Sequence, residues 1–127
     1  MSERILIVED HPTMREALRL VLEGEDLEIV EASDGTAALA LARSSPPDLV
    51  LLDLHIPGIS GEELLAELKG DPTTSHARVI VVTATGEEGR ARALAVGADA
   101  YFTKPFSPTA LLRAVERARG GSEPQGS

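Results

Sequence analysis

The chain has 127 residues, a length typical of a single domain. It contains no cysteine and no tryptophan, which excludes disulfide bonds, thiolate metal sites and cysteine nucleophiles. Its 21 acidic and 12 basic residues give a formal net charge of −9, which disfavours direct binding to nucleic acid or to an anionic membrane. No apolar run approaches the roughly 20 residues that span a bilayer, and we therefore expect a cytoplasmic location.

The N-terminal part of the chain alternates strand-like and helix-like patterns. The β-branched run Ile5–Val8 predicts a strand, and apolar residues at helical spacing from Met14 to Leu22 predict a helix that Gly24 ends. Leu27–Ala32 is strand-like, but glutamates interrupt it, which favours a position at the edge of a sheet.

The middle of the chain repeats this alternation. Asp34 is a candidate N-cap for the second helix. Leu49–Leu52 is wholly apolar, which is typical of a strand buried on both faces. Ser60 begins a capping-box pattern that predicts the start of a third helix.

Two more strand–helix units follow. Val79–Val82 predicts a fourth strand, and a helix is expected from about Glu87 to Gly97, a candidate left-handed terminator. The predicted buried face of that helix consists of Ala91, Leu94 and Ala95. Ala100–Phe102 predicts the last strand, and Ser107 with the proline after it predicts the start of the last helix.

Five strand–helix units predict an α/β fold with helices on both faces of a parallel sheet. Because the three wholly apolar runs need cover on both faces, they take the inner positions of the sheet. The expected fold is therefore a flavodoxin-like, doubly wound, five-stranded parallel sheet of order 2-1-3-4-5 with five helices. We assign residues 1–119 to this domain and residues 120–127 to a flexible tail or the start of a linker.

Polar side chains stand where the predicted inner strands and the last strand end. They are Glu9, Asp10, Asp53, Thr83 and Lys104. Each alone has an ordinary structural explanation; Asp10, for example, could cap the first helix. In sheets of this order, however, the ligand site lies at the carboxyl ends of the strands, between strands one and three.

Three carboxylates at one sheet end favour either a bound cation or raised carboxyl pKa values. Two like charges about 4 Å apart repel by roughly 4 kcal/mol at an effective dielectric near 20. A site of carboxylate oxygens and water suits Mg²⁺ better than Zn²⁺. An aspartate can itself be the nucleophile that accepts a phosphoryl group. A neighbouring hydroxyl would donate a hydrogen bond to the phosphoryl oxygens, and a neighbouring ammonium would supply the counter-charge.

Four motifs follow one another at these strand ends: Ile5–Asp10, Val50–Gly58 with Gly61, Val82–Ala84, and Gly97–Phe106. Together they make the chain resemble the receiver domain of bacterial two-component response regulators. The resemblance covers about residues 3 to 119.

The resemblance implies a phosphoryl-transfer role for three residues. Asp53 would be the phospho-acceptor, taking its phosphoryl group from a phosphohistidine on a sensor histidine kinase or phosphotransfer protein. Thr83 and Lys104 would contact the phosphoryl oxygens. The Lys104–Pro105 peptide bond is expected to be cis.

The resemblance also implies a metal site. Its ligands would be Glu9, Asp10, Asp53 and the backbone carbonyl of His55, with Mg²⁺ as the cofactor and Mn²⁺ as a substitute. The three histidines of the chain share no metal-ligand spacing, which disfavours a histidine-based metal site; they are His11, His55 and His76.

A switch is implied as well, with Thr83 moving toward the phosphoryl group and Tyr101 swinging inward behind it. The readout surface would be the fourth helix, the last strand and the last helix, roughly Glu87 to Arg119, which could also form a homodimer. His55 and Thr85 match two variable positions that tune the lifetime of the phosphorylated aspartate.

Three other functions fit the fold. A phosphorylation-independent interaction scaffold would not need the complete set of site residues. An aspartate-nucleophile phosphatase would need a second acid where His55 stands, and a flavin-binding carrier would need a phosphate loop where Glu9 and Asp10 stand. Beyond its own phosphorylation and dephosphorylation, we expect no enzymatic activity, no nucleic-acid binding by this domain and no membrane partner.

Overall fold

Five parallel strands form one sheet in the computed structural model, which describes residues 3–119. The strands are β1 (Glu3–Val8), β2 (Leu27–Ala32), β3 (Leu49–Leu52), β4 (Arg78–Thr83) and β5 (Ala100–Thr103). Their order is β2-β1-β3-β4-β5, as predicted, with every neighbouring pair parallel. The predicted tail, residues 120–127, lies outside the described part of the chain.

Four α-helices connect the strands, and a fifth follows the last strand. They are α1 (Pro12–Leu22), α2 (Gly35–Ser44), α3 (Gly61–Gly70), α4 (Arg90–Val96) and α5 (Pro108–Ala118). The three predicted caps are present, because side-chain oxygens of Asp34, Ser60 and Ser107 accept backbone N–H bonds in the first turns of their helices. No helix of the described residues is both long and apolar enough to cross a membrane.

The core forms two apolar layers, one on each face of the sheet, because alternate residues of a strand point to opposite faces. In β1, Leu6 and Val8 belong to one layer while Ile5 and Ile7 belong to the other. All four of these side chains are buried. Burial on both faces explains why this strand reads as a continuous apolar run, and it leaves the polar residues at the strand ends to form a site.

The helix before β5 differs from its prediction. Residues Glu87–Gly89 form a turn of 3-10 helix, and the α-helical part begins only at Arg90. The expected inward residues Ala91, Leu94 and Ala95 are exposed, whereas Ala93 is buried. A 3-10 turn has about 3.0 residues per turn instead of 3.6, so it rotates the face that follows it. Gly97 ends the helix with φ +128°, in the region that favours glycine, as predicted.

An arginine at the end of α5 ties the start of the sheet to the last helix. Arg119 Nε lies 2.7 Å from Glu3 Oε1, and its Nη1 lies 3.1 Å from Glu25 Oε1. Its Nη2 also donates to the carbonyl oxygen of Asp26 at 3.1 Å. These contacts lie at the amino ends of the strands, opposite the polar cluster at the carboxyl ends.

Candidate functional site

The carboxyl ends of β1, β3 and β5 bring two carboxylates and an ammonium into contact. Lys104 Nζ lies 2.7 Å from Glu9 Oε1 and 2.9 Å from Asp53 Oδ2. The side chains of Glu9 and Asp53 are only 1% and 4% exposed. The structure thus unites three sequence-predicted site residues that lie far apart in the chain, and the Lys104–Pro105 bond is cis, as expected.

Asp53 is held in a fixed orientation. Its backbone N–H donates to the Val8 carbonyl at 3.0 Å, and its Oδ1 accepts from the His55 N–H at 3.0 Å. Burial works to raise the pKa of Asp53. The hydrogen bond from the His55 N–H, together with the hydrogen bond and charge of Lys104, outweighs burial, so the pKa of Asp53 lies below its ordinary value. The carboxylate is therefore charged at neutral pH.

Lys104 stays charged for the corresponding reason. Burial works to lower its pKa, but its bonds to Glu9 and Asp53 prevail, so the pKa of Lys104 lies above its ordinary value. One ammonium faces two carboxylates here, which leaves the cluster with net negative charge.

Asp10 adds a third carboxylate with an unusual feature. Its Oδ1 is buried and accepts no hydrogen bond from the described residues. His11 Nδ1 lies 3.1 Å away, but the hydrogen bond of that nitrogen goes to Glu9 Oε2 at 3.0 Å. A buried carboxylate oxygen without a partner is costly, so this atom is suited to bind a cation.

Glu9, Asp10 and His11 can offer ligand atoms within 4.8 Å of one another. The His11 ring is exposed and its pKa is raised, first by the hydrogen bond to Glu9 and then by the charge of Asp10. Mg²⁺ prefers oxygen ligands to imidazole nitrogen. The donor set that fits Mg²⁺ is therefore made of carboxylates, whereas the predicted role of the His55 carbonyl stays a prediction.

Arg15 is a site residue that the sequence analysis missed. Its Nη1 donates to the backbone carbonyl of Glu9 at 2.8 Å, and its Nε lies 3.2 Å from Glu31 Oε1. The Glu9 N–H in turn donates to the Ala32 carbonyl at 3.1 Å. Arg15 lies on the first turn of α1, shortly after the Ile5–Asp10 motif. Its positive charge is the one sequence feature that could have identified it as a partner of the acidic residues.

Two loops meet beside Asp53. Thr83, at the end of β4, is fully buried, and its Oγ1 accepts from the Thr85 N–H at 3.3 Å. The His55 Nε2 forms a hydrogen bond with the Thr85 hydroxyl, linking the loops that follow β3 and β4. The sequence placed both residues beside the site, but it did not predict this contact.

Tyr101 lies behind the site, on β5. The residue is 3% exposed, and its hydroxyl donates to the carbonyls of Thr85 and Gly86, at 3.1 and 2.9 Å. The Arg90 guanidinium lies 5.0 Å from the ring centroid. The aromatic side chain therefore occupies an inward position and contacts the loop that carries Thr83 and Thr85.

Known proteins are similar to this chain in sequence. The sequence model of the family described as "Response regulator receiver domain" matches residues 5–116. The chain is 43% identical over 117 residues to the phosphate regulon transcriptional regulatory protein PhoB of Escherichia coli (strain K12), covering 91% of this chain and 51% of PhoB. The chain thus spans about half the length of this curated relative.

Solved structures agree with the sequence comparison. A response regulator receiver domain protein (CheY-like) from Methanospirillum hungatei JF-1 superposes with a TM-score of 0.84 at 30% identity, covering 94% of this chain and 96% of that chain. The phosphorylated cyanobacterial phytochrome response regulator RcpA superposes with a TM-score of 0.83 at 28% identity, covering 100% of both chains.

Proposed function

This chain belongs to the response regulator receiver domain family of two-component systems, and from that premise we propose that it is a Mg²⁺-dependent phospho-receiver with Asp53 as its acceptor. Receiver domains interact with histidine kinases, so the donor would be the phosphohistidine of a sensor kinase or of a phosphotransfer protein. The structure of RcpA, a relative by sequence and fold, is that of a phosphorylated response regulator, which supports the proposal.

The observation that carries the proposal is the contact between Lys104 Nζ and Asp53 Oδ2 at 2.9 Å. With Oδ1 bound to the His55 N–H, the carboxylate is charged, oriented and buried, which favours attack on phosphorus. In the transfer, the bond from phosphorus to an Asp53 oxygen forms as the bond to the histidine nitrogen breaks. Lys104 and the Thr83 hydroxyl would then neutralise and bind the phosphoryl oxygens.

The metal would be held by Glu9, Asp10 and Asp53, with the His55 carbonyl as a further ligand. The buried Oδ1 of Asp10, which accepts no hydrogen bond from the described residues, supports this assignment, as does the excess of carboxylates over ammonium groups. When bound, Mg²⁺ neutralises charge on the phosphoryl oxygens. Lys104, which is itself bound to Glu9, orients the Asp53 carboxylate. Arg15 holds the backbone at Glu9 through its hydrogen bond to the Glu9 carbonyl.

For the output, we propose that Thr83 and Tyr101 form the switch and that α4, β5 and α5 form the readout face, which could also mediate homodimerisation. A hydroxyl that binds the phosphoryl group pulls on the β4–α4 loop, and the Tyr101 hydroxyl is bonded to that same loop. Phosphorylation can shift the equilibrium between two arrangements of this loop only through contacts that differ between them. We expect the hydrogen bonds of the Tyr101 hydroxyl to be among those contacts.

A phosphorylation assay on the purified chain tests the proposal. Incubation with a small acyl phosphate and Mg²⁺ should add the mass of one phosphoryl group, and a chelator should abolish the addition. Asp53→Asn should remain unmodified. The matched control is Asp48→Asn at the opposite end of β3, since asparagine can still accept the Arg4 N–H bond that Asp48 accepts at 2.8 Å.

The same assay separates the alternative. A chain that stays unmodified under all conditions, yet folds like the parent, would act as a phosphorylation-independent scaffold. Modification of Asp53→Asn to the same extent as the parent would assign the acceptor to another residue.

A further inference from the structure

The β4–α4 loop surrounds the Tyr101 hydroxyl closely. The hydroxyl lies between the carbonyls of Thr85 and Gly86, and it is also close to the backbone of Gly89. A Cβ atom built on Gly89 would lie 2.7 Å from the Tyr101 hydroxyl oxygen, 3.1 Å from the Thr85 methyl carbon and 3.6 Å from the Tyr101 ring carbon Cζ. The first distance is a clash, the second is a tight contact and the third is an ordinary contact.

Backbone conformation does not explain the glycine at this position. Gly89 has φ −88° and ψ −10°, a conformation that any residue adopts. Its N–H donates to the Gly86 carbonyl at 3.2 Å, which keeps the 3-10 turn in place. The feature that favours glycine here is space, which the Tyr101 hydroxyl fills most closely and the Thr85 methyl group fills next.

The outer face of the ring is covered from the same turn. Arg90 lies over the ring and is itself held by Glu87, with two contacts at 2.5 and 3.0 Å. A guanidinium over an aromatic face is attractive. Arg90, held by Glu87, thus favours the buried position of the Tyr101 ring, and it does so without a phosphoryl group in the site.

We propose that Gly89 is the positioning residue of the Tyr101 switch: the missing side chain at 89 opens the space that lets the phenol lie inward before phosphorylation. This inference rests on the switch role proposed above for Tyr101. A side chain at position 89 would shift the population toward an outward ring, because Tyr101 can rotate into solvent whereas the bonded turn cannot move away.

Fluorescence quenching tests the inference directly, since Tyr101 is the only tyrosine and the chain has no tryptophan. Acrylamide is uncharged, so the acidic surface does not bias its approach. We expect weak quenching in the parent and a several-fold larger quenching constant in Gly89→Ala. The matched control is Gly86→Ala in the same turn, where a Cβ would meet only the mobile carboxylate end of Glu88; its quenching should equal that of the parent.

A second substitution tests the atom responsible. Phenylalanine lacks the hydroxyl that a Cβ at 89 would strike, and the ring contact of 3.6 Å is ordinary. The 3.1 Å contact with the Thr85 methyl group is present in both backgrounds, so it cancels in the comparison. Gly89→Ala should therefore lower the denaturation midpoint in the Tyr101 protein but lower it much less in a Tyr101→Phe background. A general effect on folding would lower both midpoints equally and would overturn the inference.

The phosphorylation state of the parent separates this inference from the proposed function. If the parent accepts a phosphoryl group on Asp53 while Gly89→Ala and parent show equal quenching, the role of Gly89 is wrong and the receiver function stands. If the parent is never phosphorylated but Gly89→Ala exposes Tyr101, the steric role of Gly89 stands and its place in a phosphorylation switch is wrong.

Discussion

The imidazole of His55 is hydrogen-bonded to the hydroxyl of Thr85, so the loops that follow β3 and β4 are joined beside the Asp53 carboxylate. Each residue lies two positions after a residue of the proposed phosphoryl site. We expect a phosphoryl donor or a water molecule to reach Asp53 by passing these two side chains, which the hydrogen bond holds together.

Breaking this bond should speed both steps that need access to Asp53. A hydrogen bond contributes about 1 kcal/mol net, which corresponds to roughly fivefold in a rate. We expect Thr85→Val to shorten the phosphoryl lifetime by about that factor and to speed labelling by an acyl phosphate, because valine keeps the shape without the hydroxyl. Stopped-flow labelling and a decay time course measure the two rates; an unchanged lifetime would contradict a gating role.

Lys104→Met should lower the stability of the metal-free protein without weakening its affinity for Mg²⁺. Removing one partner of a buried ion pair costs about 3–5 kcal/mol, because it leaves charges without compensation. Without metal, the variant should unfold at lower denaturant concentration, since Glu9 and Asp53 then repel each other. Mg²⁺ should bind at least as tightly as to the parent, because it no longer competes with an ammonium.

Calorimetric titration of Lys104→Met with Mg²⁺ checks this expectation, with Lys69→Met as the control. The Lys69 ammonium bonds the Ala77 carbonyl and Asp99, away from the acidic cluster. Loss of Mg²⁺ affinity in Lys104→Met alone would mean that Lys104 organises the metal site instead of opposing it.

Magnesium should stabilise the parent against unfolding, and Asp10 should be necessary for the effect. A ligand at a hundred times its dissociation constant adds about 2.7 kcal/mol to the free energy of unfolding. A chelator should remove that increment. In Asp10→Asn we expect the metal-free protein to be as stable as the parent or more so, and the Mg²⁺ increment to fall sharply.

Thermal unfolding with and without Mg²⁺ measures both quantities. Asp48→Asn again serves as the control, and it should keep the full increment. An Asp10→Asn protein that keeps it too would remove Asp10 from the metal site.

Stability should depend on pH through Tyr101 in the alkaline range. Burial, together with the nearby charges of Glu88 and Glu87, raises the pKa of Tyr101 above its ordinary 10.0, against the weaker opposing effect of Arg90 and Arg92. The folded state thus holds the phenolic proton more tightly than the unfolded state. The stabilisation is complete below about pH 10 and is lost as pH rises through the folded pKa.

Ultraviolet titration of tyrosinate gives the pKa of the folded protein. The parent should lose stability more steeply than Tyr101→Phe above pH 10 in paired unfolding curves. Parallel curves for the two proteins would show that the phenol has the same pKa in both states.

Much of the fold follows from local patterns in the sequence. The runs Ile5–Val8 and Leu49–Leu52 are apolar at every position because both faces of an inner parallel strand are covered, and this property fixed the strand order. Ala91, Leu94 and Ala95 share one face of α4, as their spacing indicates, but the helix turns that face to solvent and buries Ala93 instead. The 3-10 turn before α4 changes the phase, and sequence periodicity does not report such a turn.

The site also combines features that the sequence predicts with contacts that it does not. Glu9, Asp53 and Lys104 could be placed together because strand ends converge in a parallel sheet, whatever the loops do. The bonds from Arg15 to the Glu9 carbonyl and from His55 to Thr85 depend on loop conformation and rotamers. Contacts of that kind have no periodic signature, so they emerged only from the coordinates.

The contact between Arg119 and Glu3 has a consequence for protein engineering. Because the Arg119 and Glu3 side chains touch at 2.7 Å, the two ends of the described chain lie on the same side of the sheet, and a linker that spans the reach of both side chains would join them. Domains whose ends lie close together tolerate circular permutation. A permutant opened in the exposed turn after α3, near Pro72 and Thr73, should therefore keep the sheet and its acidic cluster intact. A reporter domain inserted between the joined ends would be anchored at the face of the sheet most distant from Asp53.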